Sequence, residues 1–562
     1  LNVVVAAPEL DSLGIVGDLD GRVLLGGTLA APTLSGELRA LRLVLPGLGE
    51  LRGLQAQANL GEGAQGALAG QLRLASYTRA GGAGVFSGLS IEVEGVRGAH
   101  RLRAQAALAG EREVRLRLAG ALGEQAGGLV WSGTLDELVF ASLVEPAAPF
   151  VRLAAPLPWR IGGGGLALGA GELVGAGGWS ARVESLRLTA AGWQSAGSVR
   201  GLPMARTLAE FSPSLAATLA NPAGGQPLRL AGEWEFGPPA TRSASGLPAG
   251  RLRLARERGD LAIGTLALGL HEAQLDLASS DGRHVAGLRL RGARLGELTA
   301  QLSAAASARA LLDRLAPWRG DLRLNAPDLA WLGPLLGHGW QLGGRLVGDV
   351  RLGGTPARPS LGGEWRGDDL ALRALDQGMR LERGRLQARL AGGETPADLR
   401  LRLDELSFES DLQTMPRALQ LAAGIAPGEL TGKPGRFLAS GELRLGQADA
   451  VLQLRAERLG VWQRPDQWLL VSGNGELALA AGSVAVVGQL AVDAAYWQLA
   501  GLSTPSLSED VFIRRGGAQA PASGAPRLLS VDLQTDLGRN FHFRGAGVES
   551  RLVGALRLRA QG

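Results

Sequence analysis

Apolar and polar residues alternate with a period of two along most of the chain. Residues Asp398–Asp404 read Asp-Leu-Arg-Leu-Arg-Leu-Asp, and Asp321–Asn325, Gly250–Leu254 and Arg115–Leu118 show the same alternation. A strand gathers such leucines on one face and the charges on the other, whereas a helix would spread the leucines around its circumference. Turn signals, many of them glycine, recur about every 8 to 12 residues, a spacing typical of an all-β meander. The pattern therefore predicts strands, although leucine alone favours helices.

Three segments break this alternation. Met204–Leu219, Ala304–Leu315 and Leu412–Ala423 have apolar residues at helical spacing, and a proline lies beside each segment. This spacing predicts short helices that act as capping or plugging elements.

A longer repeat relates two distant parts of the chain. Residues Ala7–Glu37 and Ala326–Glu364 share a Pro-acidic-Leu turn, a glycine-led strand, Gly-Gly-Thr and Leu-x-Gly, in that order. Such a duplication indicates an elongated repeat architecture. We therefore predict an all-β fold, an elongated repeating β-sheet groove that is taco-like or β-solenoid-like, with a few short helices. The predicted divisions are 1–203, groove; 204–220, helical insertion; 221–460, groove with helices near 304–315 and 412–423; and 461–562, the start of a C-terminal domain.

A single sheet with one leucine face cannot leave that face in water without a cost of roughly 25 cal/mol per Å² of exposed apolar area. The face either lines a trough covered by an apolar ligand such as acyl chains, or packs in a dry core between two sheets. The low aromatic content, 4% of residues, favours an aliphatic channel. The candidate lining residues are Leu252, Leu254, Leu275, Leu277, Leu288, Leu290, Leu322, Leu324, Leu399, Leu401 and Leu403.

Composition excludes several classes of protein. With 46% hydrophobic residues among 562, the chain is too apolar to be disordered. The absence of cysteine excludes disulfides, thiolate zinc sites and a cysteine nucleophile. The formal charge of +5 is carried almost wholly by arginine, since Lys433 is the one lysine. Acids nearly balance the bases, so we expect a solvated surface and no nucleic-acid partner.

No catalytic or metal-binding pattern emerges from the remaining polar residues. The histidines lie far apart in the sequence, without a metal-ligand spacing, and the paired carboxylates show no sign of convergence. Gly162–Gly165 fails the dinucleotide-binding pattern, and Gly428–Pro434 has proline where the phosphate loop needs serine or threonine. We therefore predict a protein that is not an enzyme and has no cofactor or metal. The groups considered are His100, His271, His284, His338, His542, Asp368, Asp369, Glu409, Asp411, Glu509 and Asp510.

Several motifs occur together along the chain. Leu322–Leu372 contains Ala-Pro-Asp-Leu-Ala-Trp-Leu, Gly-Gly-Thr-Pro-Ala-Arg-Pro and Gly-Asp-Asp-Leu-Ala-Leu, and Val130–Leu135 holds Trp-x-Gly-x-Leu. Together they resemble the TamB family, the AsmA-like translocation and assembly module subunits of Gram-negative bacteria. Trp462–Gly475, Thr504–Val511 and Leu537–Leu552 resemble the entry to the C-terminal domain of that family. The resemblance covers nearly the whole chain and implies a fragment from the C-terminal half of such a protein.

The resemblance also implies a function. It predicts a periplasmic protein anchored in the inner membrane through an N-terminal segment outside this sequence, with a hydrophobic groove that bridges inner and outer membranes. The cargo would be phospholipid, and a TamA-like outer-membrane barrel would be the partner in protein assembly.

Two other readings stay open. One is a structural or adhesive β-solenoid in which the leucines form a closed dry core, although the Asn, Thr or Gly ladders of such solenoids are absent. The other is a glycan-active enzyme, which would need convergent carboxylates and aromatic platforms for sugars. Only two tyrosines and twelve scattered tryptophans are present, so this reading ranks last.

Overall fold

A computed structural model of the chain provides the coordinates. The structure describes residues 2–6, 16–27, 32–45, 49–79, 84–108, 111–125, 128–143, 149–189, 192–205, 219–220, 225–237, 249–263, 266–280, 282–305, 316–355, 358–392, 398–426, 428–445, 447, 449–480, 483–499, 528–545 and 547–561.

Strands make up nearly all the secondary structure of these residues. They are β1 (Asn2–Ala6), β2 (Val16–Gly17), β3 (Asp20–Gly27), β4 (Pro32–Leu45), β5 (Gly49–Leu60), β6 (Leu68–Arg79), β7 (Gly84–Val96), β8 (Ala99–Leu108), β9 (Arg112–Gln125), β10 (Gly128–Ser142), β11 (Val151–Leu153), β12 (Leu157–Gly162), β13 (Gly165–Leu168), β14 (Gly171–Gly175), β15 (Trp179–Thr189), β16 (Gly192–Pro203), β17 (Leu219–Ala220), β18 (Arg229–Phe236), β19 (Gly250–Arg258), β20 (Ala262–Ile263), β21 (Leu266–Ala267), β22 (Leu270–Ser280), β23 (Arg283–Gly292), β24 (Gly296–Ala305), β25 (Trp318–Ala326), β26 (Trp340–Thr355), β27 (Arg358–Ala374), β28 (Met379–Ala391), β29 (Arg400–Ser410), β30 (Gly435–Arg444), β31 (Asp449–Gln463), β32 (Gln467–Ala480), β33 (Ser483–Gln498), β34 (Leu528–Asp536), β35 (Phe541–Gly545), β36 (Val548–Leu552) and β37 (Ala555–Gln561). Two short helices, α1 (Gly333–Leu336) and α2 (Arg417–Ala423), and a 3₁₀ turn, Ala330–Leu332, accompany them.

The all-β prediction is confirmed, and the period-two alternation accounts for it. Helix α2 is shorter than the predicted segment Leu412–Ala423. Helix α2 begins at Arg417, directly after Pro416, because proline readily occupies the start of a helix but not its interior. In the predicted helix Met204–Leu219, Met204 and Ala205 are helical, whereas Leu219 lies in β17. Ala304, the first residue of the predicted helix Ala304–Leu315, lies in β24. The rest of those two predicted helices, residues 206–218 and 306–315, lies outside the described residues.

The chain divides into two units. Unit 1 comprises Leu1–Thr265, Gln274–His284 and Ala306–Leu311, and unit 2 comprises Leu266–Ala273, Val285–Ala305 and Leu312–Gly562. The division near residue 265 differs from the predicted boundaries, and β31 continues through the predicted boundary at 460/461.

Unit 1 is an antiparallel meander in which strands follow one another in chain order from β3 to β10. Strand β10 then pairs with β11 and β12 in tandem. Two shorter strands, β13 and β14, lead to β15, and the order β15, β16, β18, β19, β22 completes the unit.

Unit 2 continues in chain order from β24 to β33 through antiparallel pairs. The direction changes at β33, which pairs in parallel with both β34 and β35. Strands β37 and β36 pair antiparallel with β34 and β35 respectively. The predicted repeating sheet is thus present as an antiparallel meander.

A line of β-bulges crosses unit 2. Gly344, Asp369, Arg383 and Arg458 each lie at a register shift between neighbouring strands, and each has a positive φ. A bulge adds one residue to a strand, bends it and increases its twist. Three of the four are not glycine, and left-handed backbone costs such residues roughly 1–2 kcal/mol each. Three of them lie on the adjacent strands β26, β27 and β28 and the fourth lies on β31, while β29 has a further register shift between Leu403 and Leu406, so the irregularity extends over several strands.

Tryptophans pack over glycines on neighbouring strands. In unit 2, Gly348 pairs with Trp365, and a Cβ at position 348 would lie 2.5 Å from the indole Cε3. In unit 1, Gly197 pairs with Trp234 and meets its ring in the same way. The missing side chain lets the indole lie flat on the adjacent strand, so the sheet gains packing without added thickness.

We expect Gly348→Ala to destabilise unit 2 by about 1–3 kcal/mol, because the new methyl group would force the Trp365 ring from its site. Urea unfolding followed by tryptophan fluorescence measures the change. Gly287→Ala in β23 is the matched control, since nothing lies within 4 Å of a Cβ at that position. Equal midpoints for the two variants would contradict the proposed packing role of Trp365.

Candidate functional site

One face of unit 2 is lined by apolar side chains that continue from strand to strand. Cross-strand register places them in rows, so that each residue lies beside its partner on the next strand. One row is Leu298, Leu324, Gly348, Trp365, Ala388, Leu403, Gly441, Leu452, Leu477, Val486, Val531 and Ala560. The next is Ala300, Leu322, Val350, Gly363, Leu390, Leu401, Leu443, Ala450, Leu479, Val484 and Leu529.

Neither row contains a charged or hydrogen-bonding side chain apart from the indole of Trp365. Most members are half-buried, whereas Gly348, Val350, Ala388, Leu403 and Ala450 are buried and Leu529 and Ala560 are exposed. The first row crosses twelve strands, which at a spacing of ~4.8 Å extend about 50 Å. We call these two rows the apolar wall of unit 2.

The opposite face of the same strands carries charge. Its row consists of Thr299, Arg323, Asp349, Glu364, Arg389, Arg402 and Glu442. The Arg389 Nε–Asp404 Oδ2 distance is 2.7 Å, and this hydrogen bond holds the pKa of Asp404 below its ordinary value. Such exposed pairs contribute little to stability. Their main consequence is that they keep this face hydrated, so the two faces of the sheet differ sharply.

Unit 1 shows the same division between its faces. An apolar row runs across the strands from β3 to β12 on one face, and a polar row runs across β3 to β10 on the opposite face. The apolar row is Val23, Gly36, Ala58, Gly70, Val93, Leu102, Leu118, Leu135 and Leu157. The polar row is Arg22, Glu37, Gln57, Gln71, Glu92, Arg103, Arg117 and Glu137.

The predicted lining leucines all lie on strands or beside them, and each alternates with exposed or half-exposed polar residues. In unit 1, Leu252 pairs with Leu277 and Leu254 with Leu275. In unit 2, Leu322, Leu324, Leu401 and Leu403 belong to the apolar wall, Leu399 directly precedes β29, and Leu288 and Leu290 are half-buried in β23. Leu254 and Leu403 are buried and the other nine are half-buried.

One end of the apolar wall is closed by a denser cluster. Beyond the bulges, Leu370, Leu381 and Phe408 pack with Leu329 from the connection between β25 and β26. Near this cluster, the backbone N–H of Gln463, at the end of β31, donates to the Gln377 carbonyl oxygen between β27 and β28 over 2.8 Å. The apolar wall therefore has one densely packed end, and its half-buried rows lie away from that end.

Helix α2 packs on the other face of the sheet. Leu419 and Met415 cover Trp468, Leu470 and Tyr496. Because side chains alternate along β32, Trp468 and Leu470 share a face with Glu476 and not with Leu477 of the apolar wall. The helix thus covers an apolar patch on the charged face and leaves the apolar wall uncovered, so of the two predicted roles it caps the sheet and does not plug a groove.

An aromatic cluster lies on the apolar face of unit 1. Trp131 Nε1 donates to His100 Nε2 over 2.6 Å, and His100 Nδ1 lies 3.2 Å from the Val96 carbonyl oxygen. Trp131 packs edge to face on Trp159, with ring centroids 4.8 Å apart. Both imidazole nitrogens are therefore engaged within the fold, which favours a packing role for His100 over a metal-binding one.

The other predicted polar candidates do not converge. Arg383 contacts Glu409 through an ion pair, Asp369 occupies a bulge, and Gly162–Gly165 forms the turn between β12 and β13. Glu509 and Asp510 lie outside the described residues. Within the described ranges, no group of three histidine, aspartate or glutamate residues is arranged to hold a metal ion.

In those same ranges, the helices are all too short or too polar to span a bilayer.

His542 is a buried titratable group with a predictable effect. Its side chain is 7% exposed, and burial, together with Arg551, lowers its pKa. In the unfolded chain the imidazole of this histidine is protonated near pH 6.5, before it is protonated in the folded chain. As the pH falls below that value, protonation therefore favours the unfolded chain and the free energy of unfolding decreases, whereas well above that value it does not change. We expect the free energy of unfolding of unit 2 to decrease from pH 7.5 to pH 5.5, and His542→Leu to reduce this decrease.

Urea unfolding at the two pH values measures the effect. His271→Leu is the matched control, since His271 is exposed on its strand. If wild type and His542→Leu lose the same stability on acidification, His542 does not carry the pH dependence.

Comparisons with known proteins give no neighbour for this chain. No family model, no curated protein and no solved structure matches it.

Sequence reasoning located the leucine faces but missed the bulge line, the tryptophan–glycine pairs and the placement of α2. The positive-φ residues Asp369, Arg383 and Arg458 carry no sequence signal, because aspartate and arginine also occur in ordinary strands. The glycine opposite Trp365 was visible in the sequence, but its partner depended on strand register.

Proposed function

We propose that the chain is a non-enzymatic lipid carrier whose apolar walls hold phospholipid acyl chains. The observation that supports this is the apolar wall of unit 2, which crosses twelve strands without a charged side chain and in which most members are half-buried. Hydrocarbon is the chemical class that such a surface accommodates without unsatisfied polar groups. A polar ligand or a catalytic reaction would require charged or hydrogen-bonding side chains, which the apolar wall lacks apart from the indole of Trp365.

The resemblance to the TamB family supplies the setting of this proposal. Under this proposal the chain would lie in the periplasm, tethered to the inner membrane, and phospholipid would pass between inner and outer membranes. A TamA-like outer-membrane barrel would be the partner, and the protein would support outer-membrane biogenesis and protein assembly. In this setting the charged face remains in contact with the aqueous periplasm while the acyl chains stay on the apolar wall.

Photocrosslinking at adjacent positions of one strand tests the proposal. A benzophenone amino acid at Leu322 or Leu401 faces the apolar wall, whereas the same amino acid at Arg323 or Arg402 faces the opposite side. We expect phospholipid adducts, identified by mass spectrometry of the purified chain, only at the two leucine positions. Adducts at all four positions, or at none, would refute acyl-chain carriage on this wall.

Native mass spectrometry provides an independent readout of the same proposal. Phospholipid that copurifies with the chain and dissociates on activation supports a carrier. A chain that remains free of lipid after purification from membranes and after incubation with phosphatidylglycerol vesicles favours the alternative, a structural protein with a dry apolar face.

A further inference from the structure

The turns along one edge of unit 2 carry exposed leucines. Strands β24 to β33 form an antiparallel meander, so the chain reverses at this one edge after β25, β27, β29 and β31, and β33 also ends there. Turns normally present glycine, proline and short polar side chains to water. At four of these five places the chain instead presents leucines that are between 47% and 76% exposed, and we call them the leucine edge: Leu335, Leu336, Leu375, Leu421 and Leu499.

The leucine edge is separate from the apolar wall. On β27, the buried Leu370 lies between Trp365 of the wall and Leu375 of the edge, and on β28 the buried Leu381 lies between Ala388 of the wall and the same turn. Leu370 and Leu381 belong to the dense cluster that closes this end of the wall. The exposed leucines therefore lie outside the surface that is proposed to hold acyl chains, and they mark a second contact surface.

Tryptophans accompany the leucines at this edge. Trp331 belongs to the 3₁₀ turn before α1, Trp340 begins β26, and Trp462 and Trp497 lie one residue before the ends of β31 and β33. All four are half-buried, and the rings of Trp462 and Trp497 pack with their centroids 5.5 Å apart. An indole combines a large apolar ring with a polar N–H, which suits it to the boundary between hydrocarbon and water.

The spacing of the leucines favours a lipid surface over a protein partner. Successive turns on this edge are two strands apart, or ~10 Å. Polar groups lie between the leucines, such as Asp376 beside Leu375 and the Arg464–Asp466 ion pair in the turn after β31. A protein partner would need a separate pocket for each leucine and a polar partner for each group between them. The interface of a bilayer accepts separate apolar side chains and leaves the polar groups hydrated.

Charge does not account for attraction of this edge to a membrane. Residues 327–339, 375–378, 411–434, 464–466 and 499 contain five carboxylates and three cations, counting only aspartate, glutamate, arginine and lysine. Anionic headgroups would therefore not draw this edge to the surface, although the whole chain has a formal charge of +5. Binding through the leucine edge would come from apolar contact, which depends little on salt.

We propose that the leucine edge of unit 2 docks on the surface of a lipid bilayer. The leucines would insert between the headgroups, and the indoles would lie at the boundary with water. This contact goes beyond acyl-chain carriage, because it uses side chains outside the apolar wall and holds the protein against a membrane instead of binding a single lipid. It requires neither an anionic lipid nor a spanning segment.

Environment-sensitive labels on the full chain test the proposed contact. The chain has no cysteine, so a single cysteine introduced at Leu335, Leu421 or Leu499 can carry an NBD fluorophore without a background label. We expect NBD emission to rise and shift to the blue at these positions when vesicles of phosphatidylcholine are added. Leu445→Cys is the matched control, since Leu445 is 46% exposed and directly follows β30 at the opposite edge. Its emission is expected to stay unchanged.

Vesicle flotation provides a readout without a label. We expect Leu335→Ser combined with Leu375→Ser to weaken binding to phosphatidylcholine vesicles at least about tenfold, because two apolar side chains no longer enter the interface. The control, Leu445→Ser combined with Val451→Ser, removes exposed apolar side chains near the opposite edge, where Val451 is 44% exposed. Circular dichroism melting curves verify that the variants fold.

The outcomes separate a bilayer from other occupants of the edge. Blue-shifted labels at the leucine edge, together with weaker flotation in the Leu335/Leu375 variant but not in its control, support docking. Binding that needs phosphatidylglycerol, disappears at high salt and is equal in both double variants would overturn it in favour of general charge attraction. No binding to vesicles would also overturn it. A blue shift that follows protein concentration without vesicles, with dimers in sedimentation, would assign the edge to a second copy of the chain.

The same experiments keep docking and acyl-chain carriage apart. If the leucine edge binds vesicles but no lipid adduct forms at Leu322, docking stands and carriage on the apolar wall fails. If adducts form at Leu322 but labels at the leucine edge stay unchanged, carriage stands and docking fails.

Discussion

Leu401→Arg is expected to remove most of the phospholipid that, under the proposed function, copurifies with the chain on the apolar wall of unit 2. Leu401 lies between Leu390 and Leu443 in the apolar wall, with no polar side chain opposite it on either neighbouring strand. A guanidinium at this position must stay hydrated, and moving a charge into hydrocarbon without a partner costs several kcal/mol. Acyl chains would therefore avoid the strands around β29, and we expect at least a tenfold loss of bound lipid by native mass spectrometry.

Leu438→Arg is the matched control for this experiment. Leu438 lies on β30, one of the strands beside Leu401, but its side chain is 41% exposed and belongs to the opposite face, where it pairs with Ser407. The same substitution there adds the same charge and leaves the wall unchanged. Retention of lipid by Leu401→Arg, or an equal loss in Leu438→Arg, would contradict a role for the apolar wall in binding lipid.

Leu470→Ala is expected to lower the free energy of unfolding of unit 2 by about 2–5 kcal/mol, without loss of lipid. Leu470 is fully buried beneath helix α2, where it packs with Trp468 and Leu419. Truncation removes buried methyl groups and leaves a cavity. Helix α2 cannot move to fill this cavity completely, because Met415 and Leu419 also pack against Trp468 and Tyr496. Urea unfolding measures the stability, and native mass spectrometry of the same preparation measures the lipid.

Leu421→Ala controls for changes in the helix itself. Leu421 lies on α2 and is 76% exposed, so its truncation should change the free energy of unfolding by less than about 0.5 kcal/mol. A large loss of lipid in Leu470→Ala at a temperature where the variant is folded would show that the face under α2 takes part in binding, and the two-face description of unit 2 would fail.

The sequence predicted the sheet and its two faces well because a strand encodes them locally. Each Leu-Arg-Leu stretch, such as Leu322–Leu324, places its leucines on one face whatever its neighbours are. Which leucines meet was not predictable, because Leu401 finds Leu390 and Leu443 only through the register of three strands. Register in turn depends on turn lengths and on the bulges at Asp369 and Arg383, which shift pairing without a residue pattern of their own.

The helices show the limit of local reasoning in another way. Residues Leu412–Ala423 have helical spacing, but Pro416 delays the start of α2 to Arg417. The spacing also indicated that the helix has an apolar side without indicating what that side covers. The patch formed by Trp468 and Leu470 lies about fifty residues further along the chain, and an apolar pair in β32 looks the same in sequence whether a helix, a lipid or the other sheet face covers it.

The sequence alone determined that this chain forms strands with an oily face and a charged face, since side-chain alternation depends only on the backbone of each strand. The tertiary structure decided how those faces join. The meander aligns apolar side chains across twelve strands of unit 2, β-bulges bend several of these strands, and helix α2 covers an apolar patch on the charged face and leaves the apolar wall uncovered. These features arise from hydrogen bonding between strands and from packing between distant residues, which no single segment of sequence specifies.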